Sequence, residues 1–277
     1  MWGARILVWN FFRREMLGRF RGSFLGIFWV LLQPVFQFII YFAVFGYLFS
    51  RGGPGMSSKE FAFYLFAGIV FFSSMVEGSS NGMRCILTNS NLVKKVAFPC
   101  EILPLTPVLV STVVYLVGTL VLCIVGLSFG VVHLSASTFA LPILIVLHLA
   151  FTTGLSMLLA AITVFARDTA YLYTIFTQAW FFMSPNFWDF TLMQGVADKH
   201  GLPWLTTLVM CNPTFPLLMA QRQIFGIDTN VPADRYQDYF PTTLGENLAM
   251  GSGWALLSLL LGYGFFMSRK RKFADLV

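Results

Sequence analysis

The stretch "ILPLTPVLVSTVVYLVGTLVLCIVGLSFGVVHLSASTFALPILIVLHLAFTTGLSMLLAAITVF", Ile102 to Phe165, contains no Asp, Glu, Lys or Arg. A helix crosses the hydrocarbon core of a bilayer with about 20 apolar residues, so this run is long enough to cross twice. Gly130, Val132-His133 and Ser135 to Ser137 interrupt it. The interruption predicts two spans joined by a tight hairpin. Working outward, Gly26 to Phe49, Tyr171 to Trp188 and Asn247 to Ser268 are equally free of charge. Phe61 to Val76 is shorter, but it continues past Glu77 through small residues to Met83. The expected fold is an all-α polytopic membrane protein with six transmembrane helices, at 26–49, 61–83, 105–129, 139–165, 171–188 and 248–268.

Composition agrees with that reading. The chain is 57% apolar and 11% charged, against about 45–50% and about 25% in a soluble domain. A bilayer is the sink for the excess. Arginines precede the first run, but the run is too long for a signal-peptide core and no small-x-small cleavage site follows it, so the first helix is expected to stay as an anchor. A basic pI can mark nucleic-acid binding, yet here the cations crowd the ends of apolar runs, and no nucleic-acid partner is expected. With both termini inside, thirteen of the eighteen Lys and Arg fall on the inner side. By the positive-inside rule, both termini are expected on the cytoplasmic side and 189–247 on the outer side.

Two segments do not fit a plain span. Residues 1–24 mix Ile6, Leu7, Trp9, Phe11 and Phe12 with Arg13, Arg14, Arg19 and Arg21, which suits a helix lying in the interface plane or a plain flanking anchor. After the fifth run, "MSPNFWDF" stops the helix at Pro185. "LPWLTTLVMCNPTFPLLMAQRQIFG" then stays apolar but is broken by Pro203, Pro213 and Pro216. These pieces are too short to cross and read as short re-entrant or interfacial helices on the outer side, non-helical backbone at depth being tolerated only under protein cover or beside water.

Residues 84–104 form an inner loop whose centre, "NLVKKVAFP", sets Lys94 and Lys95 in an apolar run. Asn89 and Ser90 are good helix N-caps, and Pro99 pushes its predecessor out of the helical region. A short amphipathic cytoplasmic helix is expected, with Leu92, Val93 and Val96 on one face and the lysines on another, there to meet a partner or only to satisfy anionic lipid. In the first run, Phe38, Phe42, Phe45 and Phe49 recur on one helix face with Tyr41 beside them. Such a stripe packs against a neighbouring helix or lines a path on which sugar faces can slide.

No phosphate-binding GxxxxGK[ST] loop, H-E-x-x-H or nucleophile elbow occurs, and the spans lack acidic or basic residues at mid-depth; Glu77, near the inner end of the second span, reads as a snorkelling interfacial carboxylate or a relay. Transport would therefore draw its energy from another subunit. The four cysteines and three histidines are scattered and suggest no metal site.

"RFRGSFLGIFWVLLQP" (Arg19 to Pro34), "NSNLVKKVAFPCEILPL" (Asn89 to Leu105), "FARDTAYLY" (Phe165 to Tyr173), "FFMSP" (Phe181 to Pro185) and "NPTFPLLMAQRQIFG" (Asn212 to Gly226) follow one another in an order that resembles the ABC-2 type permeases. The similarity is greatest to the branch that exports polysaccharides or polyol phosphates, the O-antigen exporter membrane subunits. The resemblance implies a transport subunit rather than an enzyme, in the bacterial inner membrane, that pairs with itself as a homodimer. It implies two copies of a separate ABC ATPase that hold ATP and Mg, no cofactor on this chain, and a lipid-linked glycan as substrate. It makes Asn91, Leu92, Val93, Lys94, Lys95 and Phe98 the ATPase-contacting coupling helix, with Arg167 and Asp168 in the next cytoplasmic loop. Phe38, Tyr41, Phe42 and Phe45 become candidates for the substrate pathway. The segment Asp228 to Glu246 is longer than the family needs. An ABC-2 exporter of drugs or small lipids would share this pattern. A membrane-embedded enzyme or assembly scaffold would need polar groups converging at one depth, which the sequence does not offer.

Overall fold

A computed structural model describes residues 2–20, 29–48, 57–94, 99–188, 190–227 and 243–277, and every regular element in them is helical. Arg21, Phe49, Lys95, Val96 and Phe98 lie outside the described residues, as does 228–242, most of the segment Asp228 to Glu246; the side chain of Arg19 lies outside them too. The order is α1 (Trp2–Phe20), α2 (Trp29–Tyr41) running into a π-helical stretch (Phe42–Leu48), α3 (Ser58–Thr88), α4 (Ser90–Val93) and α5 (Ile102–Ser128). A 3-10 turn (Ala136–Ala140) leads into α6 (Leu141–Phe165), followed by α7 (Thr169–Met183), α8 (Phe190–His200), α9 (Trp204–Met210) and α10 (Phe215–Phe225). The chain closes with α11 (Leu244–Arg269), a 3-10 turn (Lys270–Lys272) and α12 (Phe273–Leu276).

Among the described residues four helices are long and apolar enough to cross a membrane: Ser58–Thr88, Ile102–Ser128, Ala136–Phe165 and Leu244–Leu276. The uncharged run Ile102 to Phe165 supplies two of them, with Gly130 at a positive φ of 69° in the hairpin between. The first and fifth of the six expected spans are shorter. At about 1.5 Å per residue, the 15 residues of α7 extend roughly 22 Å, against the ~30 Å of a hydrocarbon core. Ser184, extended at ψ 146° before Pro185, ends that helix for the reason prolines usually do. Two long helices start on the same device. Ser57 Oγ accepts from Glu60 N at 3.3 Å while Glu60 Oε2 accepts from Ser57 N at 2.6 Å, and Thr243 and Glu246 repeat it on α11. Both are capping boxes, each satisfying two otherwise orphaned donors.

The core is built around α3, whose inner face, including Tyr64, Leu65, Ile69, Phe71 and Met75, is almost fully enclosed by α2, α5, α6, α7 and α10. A second cluster closes one end of the bundle. It unites Phe11 of α1, Val93 of α4, Cys100, Leu103 of α5, Ala160 and Val164 of α6, Phe266 of α11 and Phe273 of α12. Lys270 and Glu101 form an ion pair at 2.5 Å on that end. The α3 N-terminus, the α5–α6 hairpin, α8 to α10 and the start of α11 occupy the other end.

Candidate functional site

The basic end gathers the residues expected to meet a partner. Asn89, expected as an N-cap, stands at the cap position of α4 but makes no side-chain cap bond. Its Nδ2 instead donates back to Cys85 O at 2.9 Å, and its Oδ1 accepts from Arg14 Nη2 at 3.0 Å. With the side chain so used, α4 is a single turn, and Lys94 already closes it. Val93 is buried, Leu92 is half-buried against the same cluster, and Asn91 and Lys94 are exposed. One face of this turn thus grips the bundle and the other is free. Arg14 lies over the Phe11 ring at 4.4 Å, which ties α1 to α4 through Asn89, while Arg13 is exposed. Arg167 and Asp168 are exposed in the α6–α7 turn at the same end, next to Phe165, whose ring meets Phe273 at 6.4 Å. Burial pushes the Cys100 thiol up, the charge of nearby Lys270 opposing it.

The aromatic stripe of α2 divides. Phe38 stacks on Phe42 at 5.5 Å and meets the edge of Phe66 at 5.5 Å, and Phe42 lies 6.4 Å from Phe61. Tyr41 stacks on Phe181 of α7 at 5.2 Å, and Phe45 on Phe187 at 4.4 Å. Two rings therefore turn to α3 and two to α7 and the chain beyond it. The even periodicity assumed from sequence ends at Phe42, where the helix becomes π-helical with more residues per turn. Gly46 accommodates this: a Cβ there would come within 3.0 Å of the Phe42 ring. All four side chains are half-buried, and the outward face of α2 carries Phe36, Ile39 and Ile40.

Sequence reasoning missed a buried polar junction at the other end. Arg222 of α10 is 0% exposed. Its Nη2 donates to the carbonyls of Pro185 at 2.6 Å and Asn186 at 3.3 Å, and its guanidinium lies 3.3 Å from the centre of the Tyr64 ring. Tyr64 in turn donates its hydroxyl to Trp188 O at 2.9 Å. Beside it, Trp180 Nε1 donates to Asn212 Oδ1 at 2.8 Å, Asn212 Nδ2 to Ser184 Oγ at 2.8 Å, and Thr214 Oγ1 to Asn212 Oδ1 at 2.9 Å. The segments "FFMSP" and "NPTFP" therefore hold each other. The helix stop at Pro185 frees backbone carbonyls, and the second segment brings donors to them. The signal was present in the sequence as two Asn/Pro/Ser/Thr clusters in otherwise apolar surroundings.

The family model of the ABC-2 type transporter matches residues 6–225, and the chain belongs to that family. It is a membrane permease, a transport subunit without a catalytic domain, of a kind that functions with ATPase subunits. The O-antigen export system permease protein RfbA of Myxococcus xanthus is 25% identical over 274 residues, covering 98% of this chain and 95% of that protein. A protein of the same name from Klebsiella pneumoniae is 19% identical over 212 residues, 76% of this chain and 77% of its own length.

Proposed function

We propose that this permease is the membrane subunit of an ATP-driven exporter that moves a lipid-linked polysaccharide, an O-antigen-like glycan, across the bacterial inner membrane. The observation that carries the reading is the match to the Myxococcus O-antigen export permease along 98% of this chain and 95% of that protein. Here α2 with its π-helical continuation, and α7, complete a set of six crossings, and α8 to α10 are re-entrant on the periplasmic side. Both termini face the cytoplasm. The permease works as a homodimer with two ATPase copies that hold ATP and Mg, and this chain binds no cofactor.

The coupling contact is Asn91, Leu92, Val93, Lys94, Lys95 and Phe98, flanked by the loop of Arg167 and Asp168. The exposure of Asn91 and Lys94 above a buried Val93 supports this, since a partner can press on such a turn and move the helices beneath it. The interface helix α1, with Arg13 and Arg14 and extended towards Arg19 and Arg21, rests on the headgroups. The substrate path uses the α2 stripe of Phe38, Tyr41, Phe42 and Phe45 at the junction of two subunits.

Co-expression with the cognate ATPase tests the reading. Lys94→Glu with Lys95→Glu should weaken co-purification of the ATPase and lower its stimulated hydrolysis, while lipid-linked glycan accumulates on the inner leaflet. If loss of the permease leaves glycan export intact and a drug or small lipid accumulates instead, the substrate assignment is wrong.

A further inference from the structure

An apolar cleft of about 430 Å3 opens between α2, α3 and α5, within the ~300–1,000 Å3 usual for ligand pockets. Its lining is graded. Tyr47, Ser58 and Lys59 line it at the Ser58 end, and Val35, Phe38, Phe66 and Leu122 line it further along the helices. On α3 the lining runs from Ser58 to Phe66, roughly 12 Å at about 1.5 Å per residue, and on α2 from Tyr47 back to Val35, roughly 18 Å. Half of a ~30 Å hydrocarbon core is about 15 Å. The cleft is therefore one leaflet deep, with its polar residues where headgroups lie and its greasy residues where tails lie. That depth is wrong for a path through the membrane and right for one lipid chain.

The charge at the Ser58 end selects the headgroup. Lys59 is exposed, and the carboxylate nearest to it in sequence, Glu60, is engaged by the Ser57 amide at 2.6 Å. Tyr47, 77% exposed, adds a ring of the kind that settles at a membrane interface. We propose that this cleft binds an anionic phospholipid of the leaflet at the Ser58 end, with the acyl chain between α2, α3 and α5 and the phosphate on Lys59. Bound there, the lipid wedges α2 against α3 on the Phe38 and Phe42 side. Tyr41 and Phe45 point to the other side, onto Phe181 and Phe187.

Native mass spectrometry of the detergent-purified permease tests this, with phosphatidylglycerol and phosphatidylethanolamine of identical chains as probes. The wild type should retain phosphatidylglycerol about fivefold better, the discrimination one lysine gives towards an anionic lipid. Lys59→Gln should bring that ratio near one. Val125→Trp, at a cleft residue that is already 38% exposed and so free to enlarge, should reduce retention of both lipids. Leu260→Trp, on the exposed face of α11, should change neither. Equal retention of the two lipids by the wild type, or a Lys59→Gln ratio like that of the wild type, would overturn the proposal. So would a Val125→Trp variant that loses its dimer but keeps its lipid, because a second copy of the chain would then be the occupant.

Discussion

Arg222 is a cation with no exposed surface, and a buried charge is costly unless its donors are used. It is accommodated by the π face of Tyr64, 3.3 Å from the guanidinium carbon, and through Nη2, which donates to the carbonyls of Pro185, Asn186 and Tyr64, while Nε and Nη1 find no acceptor among the described residues. A desolvated cation–π contact contributes about 2 kcal/mol, and each buried carbonyl stripped of its donor costs about 1–3 kcal/mol. Arg222→Met should therefore lower the thermal midpoint of the purified permease by several degrees. Arg222→Lys should recover only part of the loss, because a compact ammonium does not stack flat on the Tyr64 ring as the guanidinium does. Thermal unfolding followed by size-exclusion fluorescence measures both. If the two variants melt with the wild type, the junction carries no stability. In sequence Arg222 counts among the outer charges, for nothing local marks it as buried. Its partners lie 36 and 37 residues back in the chain, and only tertiary closure brings them under it.

Between elements, small residues set how closely helices approach. A Cβ on Gly262 of α11 would lie 1.9 Å from the carbonyl oxygen of Gly154 on α6, and a Cβ on Gly154 would lie 2.3 Å from Ser258 backbone. Ser258 Oγ meanwhile donates to Phe151 O at 2.9 Å across the same seam. Lipid supplies no hydrophobic drive to join helices, so van der Waals fit and bonds of this kind hold the pair. Gly262→Leu should force the helices apart and leave little folded protein in the membrane. Gly264→Leu, where a Cβ meets nothing within 4 Å, should be tolerated. Comparable yields of monodisperse protein from the two would refute a tight α6–α11 seam. This scale also divides what the sequence could tell from what it could not. Long uncharged runs marked α5, α6 and the apolar body of α11, because burial in lipid is a property of the run itself. The π-helical turn at Phe42 and the single turn of α4 were hidden. The first depends on a ring lying over Gly46, and the second on Asn89 being drawn to Arg14. Neither contact has a periodicity to read.

Across the whole molecule, charge and thiols are arranged by end. Arg5, Arg13, Arg14, Arg84, Lys94, Arg167 and the run Arg269–Lys272 lie at the end closed by Phe11, Val93 and Phe273. Lys59 and Lys199 stand out in solvent at the other. Anionic lipid and the insertion machinery hold such an excess of cations in the cytoplasm, so that end is expected to face inward. The free cysteines allow a direct check. Cys211 is exposed on the chain between α9 and α10, whereas Cys85 and Cys100 are buried. Burial also raises the Cys100 pKa, so its thiol stays protonated and slow towards maleimides, which react with thiolates. A membrane-impermeant maleimide added to intact spheroplasts should label the wild type, and Cys211→Ser should abolish most of that label. In the Cys211→Ser background, Lys272→Cys should stay unlabelled until the membrane is opened. Labelling of Lys272→Cys in sealed spheroplasts, with Cys211 shielded in the wild type, would place the basic end outside. The exposed turn of Asn91 and Lys94 would then be out of reach of any cytoplasmic ATPase, and the coupling surface would have to be sought among α8, α9 and α10.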